Sequence, residues 1–155
     1  MAFRCFTVGV ALTMALVAAR ILADDSASEQ AIKKDRKQME GTWRAVSLEV
    51  NGNKAAELDA KKITVINHVD GTWTLKVDDK EISKGTNKID PTKKPKTIDF
   101  TPTEGQGKGK QFLGIYEQGK NHRKLCFVEA GKDRPTEFSS AVDSERVLVV
   151  FERQR

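Results

Sequence analysis

The stretch MEGTWRAVSLEVNG, residues 39–52, decides the fold. Residues 42–50 are rich in residues that favour strands, and Asn51-Gly52 is a turn signal that ends the run. We therefore predict a first β-strand at residues 42–50. Trp43 lies at its start, which raises the question of what covers so large a ring there.

Seven further strand signals follow, each separated from the next by turn chemistry. Residues 72–77 (TWTLKV) alternate cleanly between apolar and polar side chains, as expected for a strand with one buried face. Asp70-Gly71 just before them predicts a two-residue hairpin turn. The other predicted strands are residues 62–69, 81–89, 96–101, 110–118, 123–129 and 146–153.

The connections between these strands are mostly short and show no useful helical pattern, which excludes parallel βαβ architectures. The sequence therefore predicts an all-β protein, an eight-stranded antiparallel up-and-down barrel whose closure removes exposed edges. A sandwich with Greek-key crossings is the alternative. Residues 30–40 are polar with Ile32 and Met39 two helical turns apart, which predicts a short N-terminal helix laid loosely against the barrel.

The first 23 residues have the composition of a signal peptide. A basic start precedes an apolar run of about 15 residues and then small residues, and the run is shorter than the ~20 residues that span a bilayer. We expect cleavage after Ala19 or Ala23, export to the periplasm or the extracellular space, and no stable membrane insertion afterwards. An uncleaved anchor is the alternative, because Arg20 interrupts the cleavage region. Residues 24–33 are expected to be a flexible segment and residues 34–155 to form the barrel domain.

Charge and cysteine content exclude several classes of function. Without Arg4 and Arg20 the chain keeps 25 basic against 22 acidic residues, a net charge of +3. This mild charge is spread over turns and strand exteriors, which argues against nucleic acid as a partner. Cys126 is the one cysteine left, either a small buried hydrophobe or a reactive or dimer-forming thiol.

No catalytic or metal-binding pattern emerges from the sequence. His68, His122 and Cys126 lack metal-ligand spacing, so no metal or other cofactor is expected. Arg134 precedes a proline turn in RPTEF, which we interpret first as a loop anchored by an ion pair and a buried ring, and second as the lip of a binding mouth. The carboxylates that could form a pair fall on different predicted strands and are interpreted as surface groups: Asp99, Glu104, Glu117, Glu129 and Glu137.

Gly41-Thr42-Trp43, the preceding helix and Arg153 at the end of the last strand resemble the G-x-W pattern of lipocalins and fatty-acid-binding proteins, the calycins. The resemblance implies that Trp43 closes one end of the barrel and that Arg153 packs across its ring, which is sensible physically because a guanidinium is attracted to an indole face.

The chain from about Lys34 to Arg153 further resembles an uncharacterised lipocalin-like domain family of planctomycete bacteria. One departure is Asn87, where an apolar or aromatic residue is expected. The resemblance is carried by five separated motifs in order: MEGTWRAVSLEVNG, DPTKKPKTIDFTP, GKQFLGIYE, KLCF and RPTEFSS.

An eight-stranded barrel is either nearly filled by its own side chains or holds one small ligand. The first case predicts a structural or protein-interaction module of the cell envelope with an undefined protein partner. The second predicts an exported binder of a small apolar ligand. An enzyme is not expected, since nothing assembles a nucleophile with its base. The candidate cavity lining is Trp73, Leu75, Ile98, Phe100, Leu125 and Phe127.

Overall fold

The computed structural model describes the backbone of residues 11–155 and the side chains of residues 25–155. The predicted signal peptide, residues 1–23, lies outside the residues whose side chains are described, and it stays a prediction. Within the described part of the chain, no helix combines the length and the hydropathy that crossing a membrane requires.

Eight sequential antiparallel strands form a closed barrel, as predicted. Each strand pairs with the next along the chain, and the last pairs back with the first. An additional two-residue strand, β2 (Asn53–Lys54), pairs only with the end of β1. The barrel strands are β1 (Gly41–Val50), β3 (Ile63–Asn67), β4 (Thr72–Val77), β5 (Lys80–Asp90), β6 (Lys96–Gly105), β7 (Phe112–Gln118), β8 (His122–Glu129) and β9 (Val147–Arg153).

The connection before β4 differs from the prediction. Strand β3 ends at Asn67, and a four-residue connection, residues 68–71, replaces the predicted two-residue turn. His68 N–H donates to Thr72 O at 2.9 Å and Gly71 N–H donates to His68 O at 3.1 Å, so the connection closes with its own backbone bonds. A short helical turn, α2 (Glu57–Ala60), lies between β2 and β3.

Pairing of β1 with β9 closes the barrel, and Trp43 lies at the end of this seam. Trp43 is fully buried, opposite Arg153 in the ladder. The guanidinium carbon of Arg153 is 4.3 Å from the centroid of the Trp43 ring, the geometry of a cation–π contact. Trp43 therefore lies at the junction of the first strand, the last strand and the helix that precedes them.

That helix, α1 (Ala11–Met39), covers one end of the barrel, and the segment predicted as a short helix is its C-terminal part. Its last carbonyls need partners outside the helix. Met39 O accepts the Trp43 Nε1–H at 2.8 Å, and Arg153 donates to the carbonyls of Gln38 and Glu40. The same two side chains that close the barrel thus also fix the end of α1.

The contact between α1 and the barrel is specific, and the prediction of a loosely laid helix is wrong. Spacing along the helix places Ile32, Asp35, Arg36 and Met39 on one face. Met39 is buried, and Asp35 is buried with its Oδ2 accepting from Tyr116 Oη at 2.8 Å and Lys96 Nζ at 2.7 Å. The polar residues of this face satisfy one another across the interface, so they do not weaken it.

Arg36 explains the unexpected Asn87 of the fourth predicted strand. Its guanidinium donates to the side-chain oxygen of Asn87 and, at 2.7 Å, to the backbone oxygen of the same residue. Burial lowers the pKa of Arg36 from its ordinary value. An apolar residue at position 87 would leave this half-buried cation without its side-chain acceptor.

The long connection between β8 and β9 covers the outer face of the barrel. Arg134 forms an ion pair with Asp99 at 2.6 Å and donates to Gly114 O at 2.8 Å, so the predicted loop anchor exists with Asp99 as its carboxylate. Cys126 is fully buried beneath this loop, 3.5 Å from Ser139 O, and burial raises the pKa of its thiol. Of the two interpretations of Cys126, the structure shows the buried hydrophobe.

Strand β1 contains a bulge that changes which residues face inward. Ala45 pairs with Phe151 and Ser47 with Val150, so Val46 is the extra residue in the ladder. Trp43 and Ala45 point inward before the bulge, whereas Leu48 lines the interior after it. This shift explains why both faces of RAVSLEV carry apolar residues.

We expect Trp43→Ala to lower the free energy of unfolding by about 3 to 5 kcal/mol, because it deletes a large buried aromatic. Arg153→Ala should cost less, and the double variant should lose less than the sum because the two side chains share a contact. Urea unfolding of the four proteins measures this coupling. Strict additivity would contradict the shared role of the pair.

Candidate ligand-binding cavity

The barrel contains a cavity of about 210 Å³ next to the end that α1 covers. Inward residues recur at every second position of the strands, and most of those that line the cavity are aliphatic or aromatic. Apolar residues of β1, β3 and β9 form one part of this wall: Leu48, Ile63, Val65, Val147, Val149 and Phe151.

The six lining residues predicted from the sequence all border this cavity. Trp73 and Leu75 come from β4, Ile98 and Phe100 from β6, and Leu125 and Phe127 from β8. Their contribution to binding a ligand stays a prediction.

Aromatic rings form a packed group on one side of the cavity. Phe100 stacks on Phe112 with 5.0 Å between ring centroids and meets Phe127 edge-on at 4.9 Å. Trp73 contacts Phe100 edge-on at 6.1 Å. A Cβ at Gly85 would lie 2.4 Å from the Trp73 ring, so a glycine is needed on β5 for the indole to occupy its place.

Arg123 is the charged residue of the cavity wall. It is 5% exposed, and its guanidinium carbon lies 4.9 Å from the ring centroids of both Trp43 and Phe151. Its Nε has no hydrogen-bond acceptor among the described residues. Burial, with a smaller contribution from the like charge of Arg153, lowers the pKa of Arg123 to about 9.

Two further donors of the cavity wall have no acceptor among the described residues. They are Asn67 Nδ2 and Trp73 Nε1, and both side chains are at least nine-tenths buried. Asn67 and Trp73 pair directly across β3 and β4, and Asn67 also pairs with Gly41. Both therefore lie near the end of the barrel where α1 and Trp43 are found.

Tyr116 and Asn87 complete the polar part of the wall and differ from these donors because their polar atoms contact α1. Tyr116 donates to Asp35, and Asn87 accepts from Arg36. Burial, together with the bond to Asp35, raises the pKa of Tyr116 well above its ordinary value. These two residues hold the helix over the cavity.

The carboxylates considered as candidates from the sequence do not converge. Glu117 lies 3.8 Å from Lys124, Glu129 lies 3.0 Å from Lys110, and Asp99 pairs with Arg134. Among the residues described, no group of three or more His, Cys, Asp or Glu side chains could hold a metal ion.

The polar part of the cavity wall was not predicted, although strand alternation points to it. Arg123 shares the parity of Leu125 and Phe127 in RKLCFVE, and Asn67 shares that of Ile63 and Val65 in ITVIN. The period-two rule alone would have placed both inside.

No protein-family model matches the chain, and neither a curated protein nor a solved structure matches it. The closed barrel is compatible with a calycin-like fold. Membership of the planctomycete lipocalin-like family stays a prediction.

We expect Arg123→Met to raise the free energy of unfolding by about 1 kcal/mol or more at pH 7, because it removes a buried cation without a counter-charge. The two aromatic contacts offset only part of that cost. Chemical denaturation of both proteins measures the difference. A large loss of stability would instead identify Arg123 as a packing residue.

The pH dependence of the free energy of unfolding provides a second comparison of the wild type with Arg123→Met. The folded pKa of Arg123, about 9, lies well below the ordinary pKa of an arginine, so above about pH 9 the unfolded chain binds more protons than the folded one. This group therefore adds stability as the pH rises above about 9. The advantage of Arg123→Met should shrink over that range, and a constant difference would contradict the shifted titration.

Proposed function

We propose that this protein is a non-enzymatic binder that holds a small, largely apolar ligand inside the barrel. The observation that supports the proposal is the cavity of about 210 Å³ inside the barrel, with its largely apolar wall. Interiors of proteins are close-packed, and most contain few voids larger than a water molecule. A cavity of this size is therefore a feature that a purely structural barrel does not need.

The volume limits the size of the ligand. An apolar cavity of about 150 Å³ takes up benzene, whereas pockets for drug-sized molecules measure about 300 to 1,000 Å³. The cavity volume of this barrel, about 210 Å³, lies between these two sizes. A short alkyl chain or a single substituted aromatic ring has the appropriate size.

The proposal is tested by calorimetric titration of the protein with 1-octanol and with octanoate, two ligands with a short alkyl chain. We expect saturable binding of at least one of them. Leu75→Phe should weaken this binding at least tenfold, because the larger side chain occupies cavity space.

The matched control is Thr74→Phe, the same substitution one position away. Thr74 lies between the cavity residues Trp73 and Leu75 on β4, and alternation points it to the outer face. The Thr74→Phe variant should bind the ligand with the affinity of the wild type. Thermal melting of each variant reports whether it is folded. Failure of both ligands to bind the folded wild type would favour the structural or protein-interaction module.

We also propose that the chain is exported to the periplasm or the extracellular space after removal of residues 1–23. The support is the basic start, the apolar run and the small residues that follow it. N-terminal sequencing of protein isolated from its native source should begin near Asp24. A sequence that still contains Phe3 would contradict export with cleavage.

A further inference from the structure

We propose that the ligand carries an anionic head group, a carboxylate on a short apolar chain, and that this head group binds Arg123 near the end of the cavity that α1 covers. The inference rests on the proposed binding function and specifies the chemistry of its ligand. It starts from the polar atoms of the cavity wall that the protein leaves without partners.

Arg123 is the strongest of these groups. A buried guanidinium is expected to pair with a carboxylate or with several acceptors. Among the described side chains none forms an ion pair with Arg123, and the charged group that, besides burial, lowers its pKa is the cation Arg153. The rings of Trp43 and Phe151 contact the guanidinium but offer no lone pair in its plane.

The unpartnered atoms of the wall are all donors. Arg123 Nε, Asn67 Nδ2 and Trp73 Nε1 each lack an acceptor within the described part of the chain. A buried donor without a partner costs free energy, which a complementary ligand recovers. The ligand must therefore present acceptors, and a carboxylate presents two oxygens and the charge opposite to that of Arg123.

The three donors lie at the same end of the cavity, with Arg123 on β8 and the other two on β3 and β4. Arg123 contacts Trp43, whose ladder partner on β3 is Val65, two residues before Asn67. Asn67 is the direct cross-strand partner of Trp73. All three donors thus lie toward the same end of the barrel.

Charges around this end also favour an anion. Arg36 and Arg153 lie beside the site on α1 and β9, and the buried carboxylate of Asp35 is already bound by Lys96 and Tyr116. Among the described residues that line the cavity, none is acidic. An incoming carboxylate consequently meets donors and a cation in the described cavity wall, and no acidic side chain there.

The rest of the cavity fits an apolar chain. From Arg123 the inward positions of β8 continue through Leu125 and Phe127, away from α1. Phe127 contacts Phe100, and the two rings extend the apolar wall. A ligand with its carboxylate at Arg123 would lay its chain along this wall.

Octanoate and 1-octanol test the inference because they share a chain and differ in the head group. Calorimetric titration at pH 7.5 and low salt should give octanoate at least tenfold tighter binding, the ratio that one charge-assisted bond supplies. Equal affinities would overturn the anionic head group while leaving the binding function intact. Absence of binding by either compound would overturn the binding function itself.

Arg123→Met isolates the contribution of the cation. This variant keeps a long apolar side chain in the wall and should bind the two compounds about equally, with 1-octanol affinity retained. Lys124→Met is the matched control, since it removes one positive charge from the adjacent, outward position of β8, where Lys124 lies 3.8 Å from Glu117. Lys124→Met should keep the preference for octanoate. If this variant lost the preference, general electrostatic attraction would explain it, and the specific site at Arg123 would be overturned.

The indole N–H signals provide a readout that does not depend on substituting Arg123. Trp73 Nε1 has no acceptor among the described residues, whereas Trp43 Nε1 already donates to Met39 O. In a nitrogen–proton correlation spectrum, octanoate should shift the Trp73 indole signal, assigned with Trp73→Phe, more than 1-octanol does. Equal shifts with both compounds would contradict a head group near Trp73.

Discussion

The packing of Trp43 is the constraint on which the rest of the structure depends. The indole is fully buried where β1 and β9 meet, its Nε1–H binds the last turn of α1, and Arg153 lies over its ring. One side chain therefore connects the helix, the first strand and the last strand. Closure of an antiparallel barrel brings together segments that are far apart in the chain, at a considerable entropic cost. The contacts between β1 and β9 concentrate on one large ring with a polar edge, and this favours a single register for the pairing that closes the barrel.

Two sets of buried polar groups lie at the same end of the barrel and differ in how they are satisfied. Asp35, Lys96 and Tyr116 bond to one another and hold the helix, so their burial is compensated within the protein. Arg123 and Asn67, in contrast, retain donors without acceptors among the described residues. Buried polar atoms left unpaired reduce stability, and such local losses are tolerated where binding requires them. The contrast separates the groups that hold the helix from the groups to which we propose that a ligand binds.

Sequence periodicity predicted the barrel and the apolar half of its cavity because both follow from local alternation. Trp73 and Leu75 alternate with polar neighbours in TWTLKV, which is information contained within a few residues. The tight docking of α1 was beyond such reasoning, since the bonds of Arg36 and Asp35 join residues more than 50 positions apart. Arg123 was missed for a different reason, because inward burial of a cation contradicts the usual partition of charge. The register of β1 depends on its bulge, and no residue type in RAVSLEV indicates where that bulge lies.

The bulge at Val46 has a consequence for how this chain can change over evolutionary time. Before it Trp43 and Ala45 face inward, and after it Leu48 does. A lineage that deleted Val46 would restore regular pleating and keep Trp43, Ala45 and Leu48 on the inner face. A one-residue change of length elsewhere in β1 that the bulge did not absorb would shift part of the strand by one position and turn either the closing tryptophan or the cavity wall outward. Changes of length among descendants should consequently collect in the connections and at the bulge and spare the rest of this strand.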